Sequence, residues 1–212
     1  MNLWQILRLY LVTDRACIGS RALLDVVNQA VQGGVTCVQL REKTLNTRDF
    51  VAQAVALQNL LQPHNVPLVI NDRIDVALAC GAQGVHLGQS DLPVYQARRL
   101  LPPQVFIGWS VETLDDVRQS ATLPVDYLGI SPIFATPTKT DTGVPWGLAG
   151  LAQARACSRL PLVAIGGIAL DNAPAVLQSG ANGLAVVSAI CAQPDPRQAA
   201  AQLRRVVDAH HQ

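Results

Sequence analysis

Two lysines, Lys43 and Lys139, stand among sixteen basic residues, and the rest of the positive charge is arginine. A compact ammonium suits work that the planar guanidinium fork does less well, and facing phosphate oxygens is one example. Lys43 ends the run Gln39-Leu40-Arg41-Glu42-Lys43. Side chains alternate along a strand, so Gln39, Arg41 and Lys43 share one side and Leu40 points to the other. An amide and two cations then reach one ligand if that side faces a pocket; if it faces water, the run is a solvated strand end. Asp72 and Asp91 add two carboxylates, a donor set suited to Mg²⁺, which takes oxygen ligands, keeps several waters and often rides on a diphosphate. Each also stands at a helix start, so helix capping is the competing role. Gly166-Gly167 allows backbone N–H groups to approach an anion closely, or simply makes a tight turn. Ser131 through Gly147 forms a long Pro/Thr/Gly-rich connection carrying Thr136, Thr138 and Lys139, with the character of a lid or of a plain soluble loop.

These residues need a scaffold that brings distant segments to one place. Short apolar, β-branched runs supply it: Leu9 to Thr13, Thr36 to Arg41, Pro67 to Asn71, Gly84 to Gly88, Phe106 to Ser110, Asp126 to Ile130, Leu162 to Gly166 and Gly183 to Ser188. Helical patterns alternate with them, such as Arg48 to Leu61, Leu92 to Leu101, Asp171 to Gln178 and Pro196 to Ala209. About eight βα units with no dividing linker predict a single (β/α)₈ TIM-barrel domain over residues 1–212, with a doubly wound open sheet as the alternative. Most of the polar and glycine-bearing steps follow strand ends, which in a barrel converge on one face. Asp72 and Asp91, after the third and fourth strands, become neighbours there, and Gly166-Gly167 and Val187-Ser188 follow the two strands whose loops commonly cradle phosphate.

Composition narrows the function. A net charge of +1 and a pI near 7.7 provide no basic stripe, so nucleic acid is not an expected partner. The longest apolar stretches, such as Gly183 to Ala192, fall short of the ~20 residues of a membrane span, and the segment from Met1 to Val12 lacks the features of an export signal. Cys17, Cys37, Cys80, Cys157 and Cys191 show no metal-binding spacing, and a cytoplasmic location is expected. The motifs GxSxG, HExxH and GxGxxG and the phosphate-binding P-loop are all missing. Of four histidines, His86 is the one placed inside a strand, where a packed or hydrogen-bonded role is expected. Assembly into a homo-oligomer is left open by the sequence.

Six segments in order resemble the motif series of the thiamine phosphate synthase family. They are Val38-Gln39-Leu40-Arg41-Glu42-Lys43, Ile70-Asn71-Asp72, Gly84-Val85-His86-Leu87-Gly88-Gln89-Ser90-Asp91, Thr136-Pro137-Thr138-Lys139, Ile165-Gly166-Gly167-Ile168 and Val186-Val187-Ser188. The resemblance implies a barrel joining 4-amino-2-methyl-5-hydroxymethylpyrimidine diphosphate to 4-methyl-5-(2-hydroxyethyl)thiazole phosphate. It implies that Gln39, Arg41, Lys43, Asn71, Ser110 and Lys139 hold the pyrimidine diphosphate, with Arg41, Lys43, Ser110 and Lys139 acting in catalysis. Asp72 and Asp91 would hold Mg²⁺, and Thr136, Thr138, Gly167, Val187 and Ser188 the thiazole phosphate. Trp109-Ser110-Val111-Glu112 departs from the family pattern, which commonly has a small residue before the serine and often a histidine soon after it. A different pocket wall is expected there.

A thiazole nitrogen carries its own lone pair, so this chemistry needs no protein nucleophile, in keeping with the missing catalytic triad. The rival readings are a thiazole tautomerase of the same fold, a non-catalytic barrel that binds a phosphorylated metabolite, and a Schiff-base lyase using Lys43 or Lys139.

Overall fold

The computed structural model describes residues 2–136 and 144–211. Eight parallel strands close a barrel in the order of the sequence: β1 (Leu9–Val12), β2 (Cys37–Leu40), β3 (Leu68–Asn71), β4 (Gly84–Leu87), β5 (Phe106–Val111), β6 (Tyr127–Ile130), β7 (Leu162–Ile165) and β8 (Gly183–Val186). Closure is made by β1 and β8, with Tyr10 opposite Ala185. The open-sheet alternative is thereby excluded.

Helices surround the barrel and fill its connections: α1 (Leu3–Ile6), α2 (Arg15–Ile18), α3 (Leu23–Gln32), α4 (Thr47–Leu61), α5 (Ile74–Cys80), α6 (Val94–Leu100), α7 (Leu114–Gln119), α8 (Gly147–Cys157), α9 (Ala173–Gln178), α10 (Ser188–Cys191) and α11 (Pro196–His210). Their starts follow local chemistry. Asn46 accepts from the Asp49 N–H at the head of α4, Thr113 and Asp116 form a capping box on α7, and Asp195 caps α11 ahead of Pro196. Among the described residues no helix is long and apolar enough to cross a membrane.

Strand alternation divides the core in two. Leu9, Leu11, Val38, Leu40, Leu68, Ile70, Ile107 and Trp109 face outward and pack beneath the helices. Tyr10, Val12, Cys37, Val69, Tyr127, Val163 and Ala185 face inward, joined at the base by Ile6 and Leu7. Both faces of each strand are therefore covered, which is why the strands read as apolar runs rather than as alternating patterns. Glycines make room inside the barrel. A Cβ at Gly108 would come within 2.1 Å of the Tyr127 ring, and one at Gly183 within 1.8 Å of the Leu7 carbonyl.

Candidate active site

A cavity of about 620 Å³ opens at the C-terminal ends of the strands. Of the residues singled out in the sequence, Gln39, Arg41, Lys43, Asn71, Asp72, Asp91, Ser110, Thr136, Gly167, Val187 and Ser188 all line it. Thr138 and Lys139 lie outside the described residues.

The end of β2 sets the cationic wall. Gln39 faces the lumen, and the chain leaving the strand keeps its alternation, so Arg41 and Lys43 border the cavity while the Glu42 side chain turns away and is buried. Burial raises the Glu42 pKa, partly offset by Arg15, whose guanidinium lies 3.6 Å away. With its amide oriented to suit both neighbours, Gln53 donates to Glu42 at 2.9 Å and accepts from Arg15 at 2.8 Å. Arg41 is fixed from two sides: its backbone N–H donates to Thr13 Oγ1 at 3.1 Å, and its guanidinium reaches Asp14 Oδ2 at 3.3 Å. Asp14 also caps α2 by accepting from the Cys17 N–H.

The carboxylates stand beside this wall. Lys43 Nζ donates to Asp72 Oδ2 at 2.5 Å, and Asp91 Oδ2 accepts from the Gly88 N–H at 2.6 Å. Burial raises the Asp91 pKa, the Gly88 N–H opposes that shift, and the neighbouring Asp72 adds to it. Two acids this close disfavour sharing their negative charge without a cation. Neither one caps a helix: the capping positions of α5 and α6 are Arg73 and Pro93, both without a side-chain capping bond. Asp72 instead adopts a left-handed backbone with φ of 63°, an uncommon conformation that Asp tolerates better than most residues. An all-oxygen pair with nearby charge to neutralise fits a hard divalent cation.

Asn71 adds a donor. Its side-chain Nδ2 is buried in the cavity wall with no hydrogen-bond partner, which is costly unless a ligand supplies an acceptor. Across the cavity, Gly166 and Gly167 take φ values of 99° and 67°. A Cβ at Gly166 would lie 2.7 Å from Pro132 Cβ, and one at Gly167 would lie 2.8 Å from Phe134 Cβ. The glycine pair thus lets the segment after β6 pack against the end of β7, where the Phe134 N–H donates to the Gly166 carbonyl at 3.0 Å. Asn172 secures the turn by donating to the Gly167 carbonyl and accepting from the Ala169 N–H, both at 2.9 Å.

Trp109 corrects an expectation. It points outward into the core beneath the helices and does not line the cavity, whereas Glu112, in the stretch where the family often has a histidine, does line it, so the wall differs at Glu112 and not at Trp109. Its neighbour Ser110 faces in. Tyr10, Tyr127 and Asp14 also line the cavity, although none of the six motif segments contains them, and so does Gln89, which lies within the third segment without a role assigned to it. Inward phase along β1 and β6 is the signal that could find the two tyrosines. His86 has the hydrogen-bonded role expected of it, with both ring nitrogens engaged.

Enzymes of the (β/α)₈ class carry their chemistry at this end of the barrel, and the chain is of that class. Residues 9–190 match the family described as thiamine monophosphate synthase. The thiamine-phosphate synthase of Albidiferax ferrireducens is 74% identical over 205 residues, covering 97% of this chain and 94% of the relative. That of Vibrio parahaemolyticus is 51% identical, covering 95% and 98%. The structure of thiamine phosphate pyrophosphorylase from Pyrococcus furiosus superposes with a TM-score of 0.90 at 36% identity, covering 99% of both chains. The chain belongs to the thiamine monophosphate synthase family and is a transferase of thiamine biosynthesis.

Proposed function

We propose that the chain condenses 4-amino-2-methyl-5-hydroxymethylpyrimidine diphosphate with 4-methyl-5-(2-hydroxyethyl)thiazole phosphate, giving thiamine phosphate and diphosphate. In this reading the C–O bond to the diphosphate breaks with its electron pair leaving on the diphosphate, and the thiazole nitrogen lone pair forms the new C–N bond. The observation that carries the reading is the gathering of Arg41, Lys43, Asp72, Asp91 and the unpartnered Asn71 amide on one side of a single cavity. Gly167, Val187 and Ser188 border the same space across from them.

Gln39, Arg41, Lys43, Asn71, Ser110 and Lys139 hold the pyrimidine diphosphate, and Thr136, Thr138, Gly167, Val187 and Ser188 hold the thiazole phosphate. Arg41 and Lys43 meet the charge that develops as the diphosphate departs; preorganised contacts of this type contribute roughly 3 to 4 kcal/mol each. Asp14 and Asp72 hold these two cations at the cavity wall. Asp72 and Asp91 are the residues that would hold Mg²⁺, which when bound supplies neutralising charge for diphosphate oxygens. Exclusion of water, the competing nucleophile, is the role this reading gives to the segment from Thr136 to Lys139, of which only Thr136 is among the described residues. The same reading makes residues 1–212 one domain acting on small phosphorylated molecules in the cytoplasm.

The test is to mix purified protein with both substrates and Mg²⁺ and to follow thiamine phosphate and diphosphate together. Equal formation of the two is expected. Binding of either substrate without diphosphate release would overturn the reading in favour of a tautomerase or a non-catalytic barrel.

A further inference from the structure

Five side chains from five strands form a hydrogen-bonded chain across the inside of the barrel. Gln39 Nε2 donates to Tyr10 Oη at 2.9 Å, and Tyr10 Oη lies 3.0 Å from Tyr127 Oη. Tyr127 Oη is 2.8 Å from His86 Nδ1, and His86 Nε2 is 2.8 Å from Ser110 Oγ. Glycines seat the rings: a Cβ at Gly108 would strike Tyr127, and one at Gly129 would lie 3.0 Å from His86 Cε1.

The direction of donation follows from the buried end. Burial pushes the pKa of both phenols well above its usual value, so each keeps its single proton and donates once. Tyr10 Oη already accepts from Gln39, and the thiol of Cys37 beside it is a weak acceptor, so Tyr10 gives its proton to Tyr127. Tyr127 then gives its own to His86 Nδ1. A neutral imidazole that accepts at Nδ1 carries its proton on Nε2 and donates it to Ser110 Oγ. With that lone pair occupied, the Ser110 hydroxyl proton is turned into the cavity. Run the other way, the chain would spend the serine proton on His86 and leave only acceptor capacity toward the ligand.

We infer that Tyr10, Tyr127 and His86 are positioning residues that set Ser110 as a hydrogen-bond donor to a phosphate or diphosphate oxygen in the cavity. The inference rests on the functional reading above and adds to it the residues that decide how Ser110 binds its ligand.

Protein labelled with ¹⁵N-histidine reports which ring nitrogen carries the proton, with His86 assigned by the signals lost in His86→Asn. The expected result is an Nε2–H imidazole in the wild-type chain and a mixture of tautomers in Tyr127→Phe. Kinetics give the second readout: Tyr127→Phe should lower kcat/KM about tenfold when Ser110 is present, and less than about twofold in the Ser110→Ala background. Tyr10→Phe, which breaks the chain one link earlier, should give the same pattern more weakly. Equal losses in both backgrounds would mark a purely structural role and overturn the inference, as would a wild-type imidazole protonated at Nδ1. Wild-type protein that makes no thiamine phosphate overturns the functional reading instead, and that failure is visible before any variant is made.

Discussion

Lys43 Nζ and Asp72 Oδ2 stand 2.5 Å apart across the ends of two adjacent strands, and Asp72 holds its place with a left-handed backbone. A carboxylate kept in that conformation, and tied to a cation rather than to a helix end, belongs to the site more than to the fold. Asp72→Asn and Asp91→Asn are each expected to raise the Mg²⁺ concentration for half-maximal activity about tenfold or more. Unchanged metal titration curves in both variants would remove the pair from metal binding.

Asp91 also makes a prediction about stability. Its folded-state pKa is raised by burial and by Asp72, so between the unfolded and folded values the folded chain binds more protons. Stability from this group is therefore lost as pH rises through that interval. In buffer containing a chelator, Asp91→Asn should lose less stability than the wild type as pH is raised from acid toward neutral. Thermal melts compared across pH test it, and a wild type that gains on the variant as pH rises would contradict the assignment.

Lys139→Ala is expected to lower kcat about a hundredfold or more while leaving the melting temperature near that of the wild type. Near-normal turnover would take Lys139 out of the chemistry. Lys139 lies outside the described residues, so kinetics rather than geometry decide its role.

Much of this arrangement is legible in the amino-acid sequence. The eight strands can be read because each is covered on both faces and so appears as an apolar run, and strand adjacency then brings Asp72 beside Asp91. The inward or outward phase of individual residues is harder to read, because Leu, Val and aromatic side chains suit the lumen and the helix-facing layer equally well. The expectation at Trp109 comes from the family pattern and not from strand phase, and Tyr10 and Tyr127 lie in no motif segment although they line the cavity. The four-residue helices α1, α2 and α10 are too short to show any periodicity.

Gly167→Ala should act on fold and binding at once. The added methyl group would meet Phe134 at 2.8 Å on a backbone with φ of 67°, costing about 1 to 3 kcal/mol. A melting temperature lower by several degrees and a raised KM for the thiazole phosphate are expected. Wild-type values for both would show that the turn can yield.

Asn71→Ala separates binding from stability in the opposite sense. Because Asn71 Nδ2 has no partner in the ligand-free protein, its loss should leave the melting temperature within a few degrees of the wild type. The value of kcat/KM should fall about tenfold. A large thermal loss with unchanged kinetics would assign the residue to the fold instead.

The first helix and the residue after it give the barrel a stopper. Ile6 and Leu7 fill its base, and the Leu7 carbonyl lies where any side chain at position 183 would have to go. The vessel is a cul-de-sac, so arriving and departing molecules share one doorway.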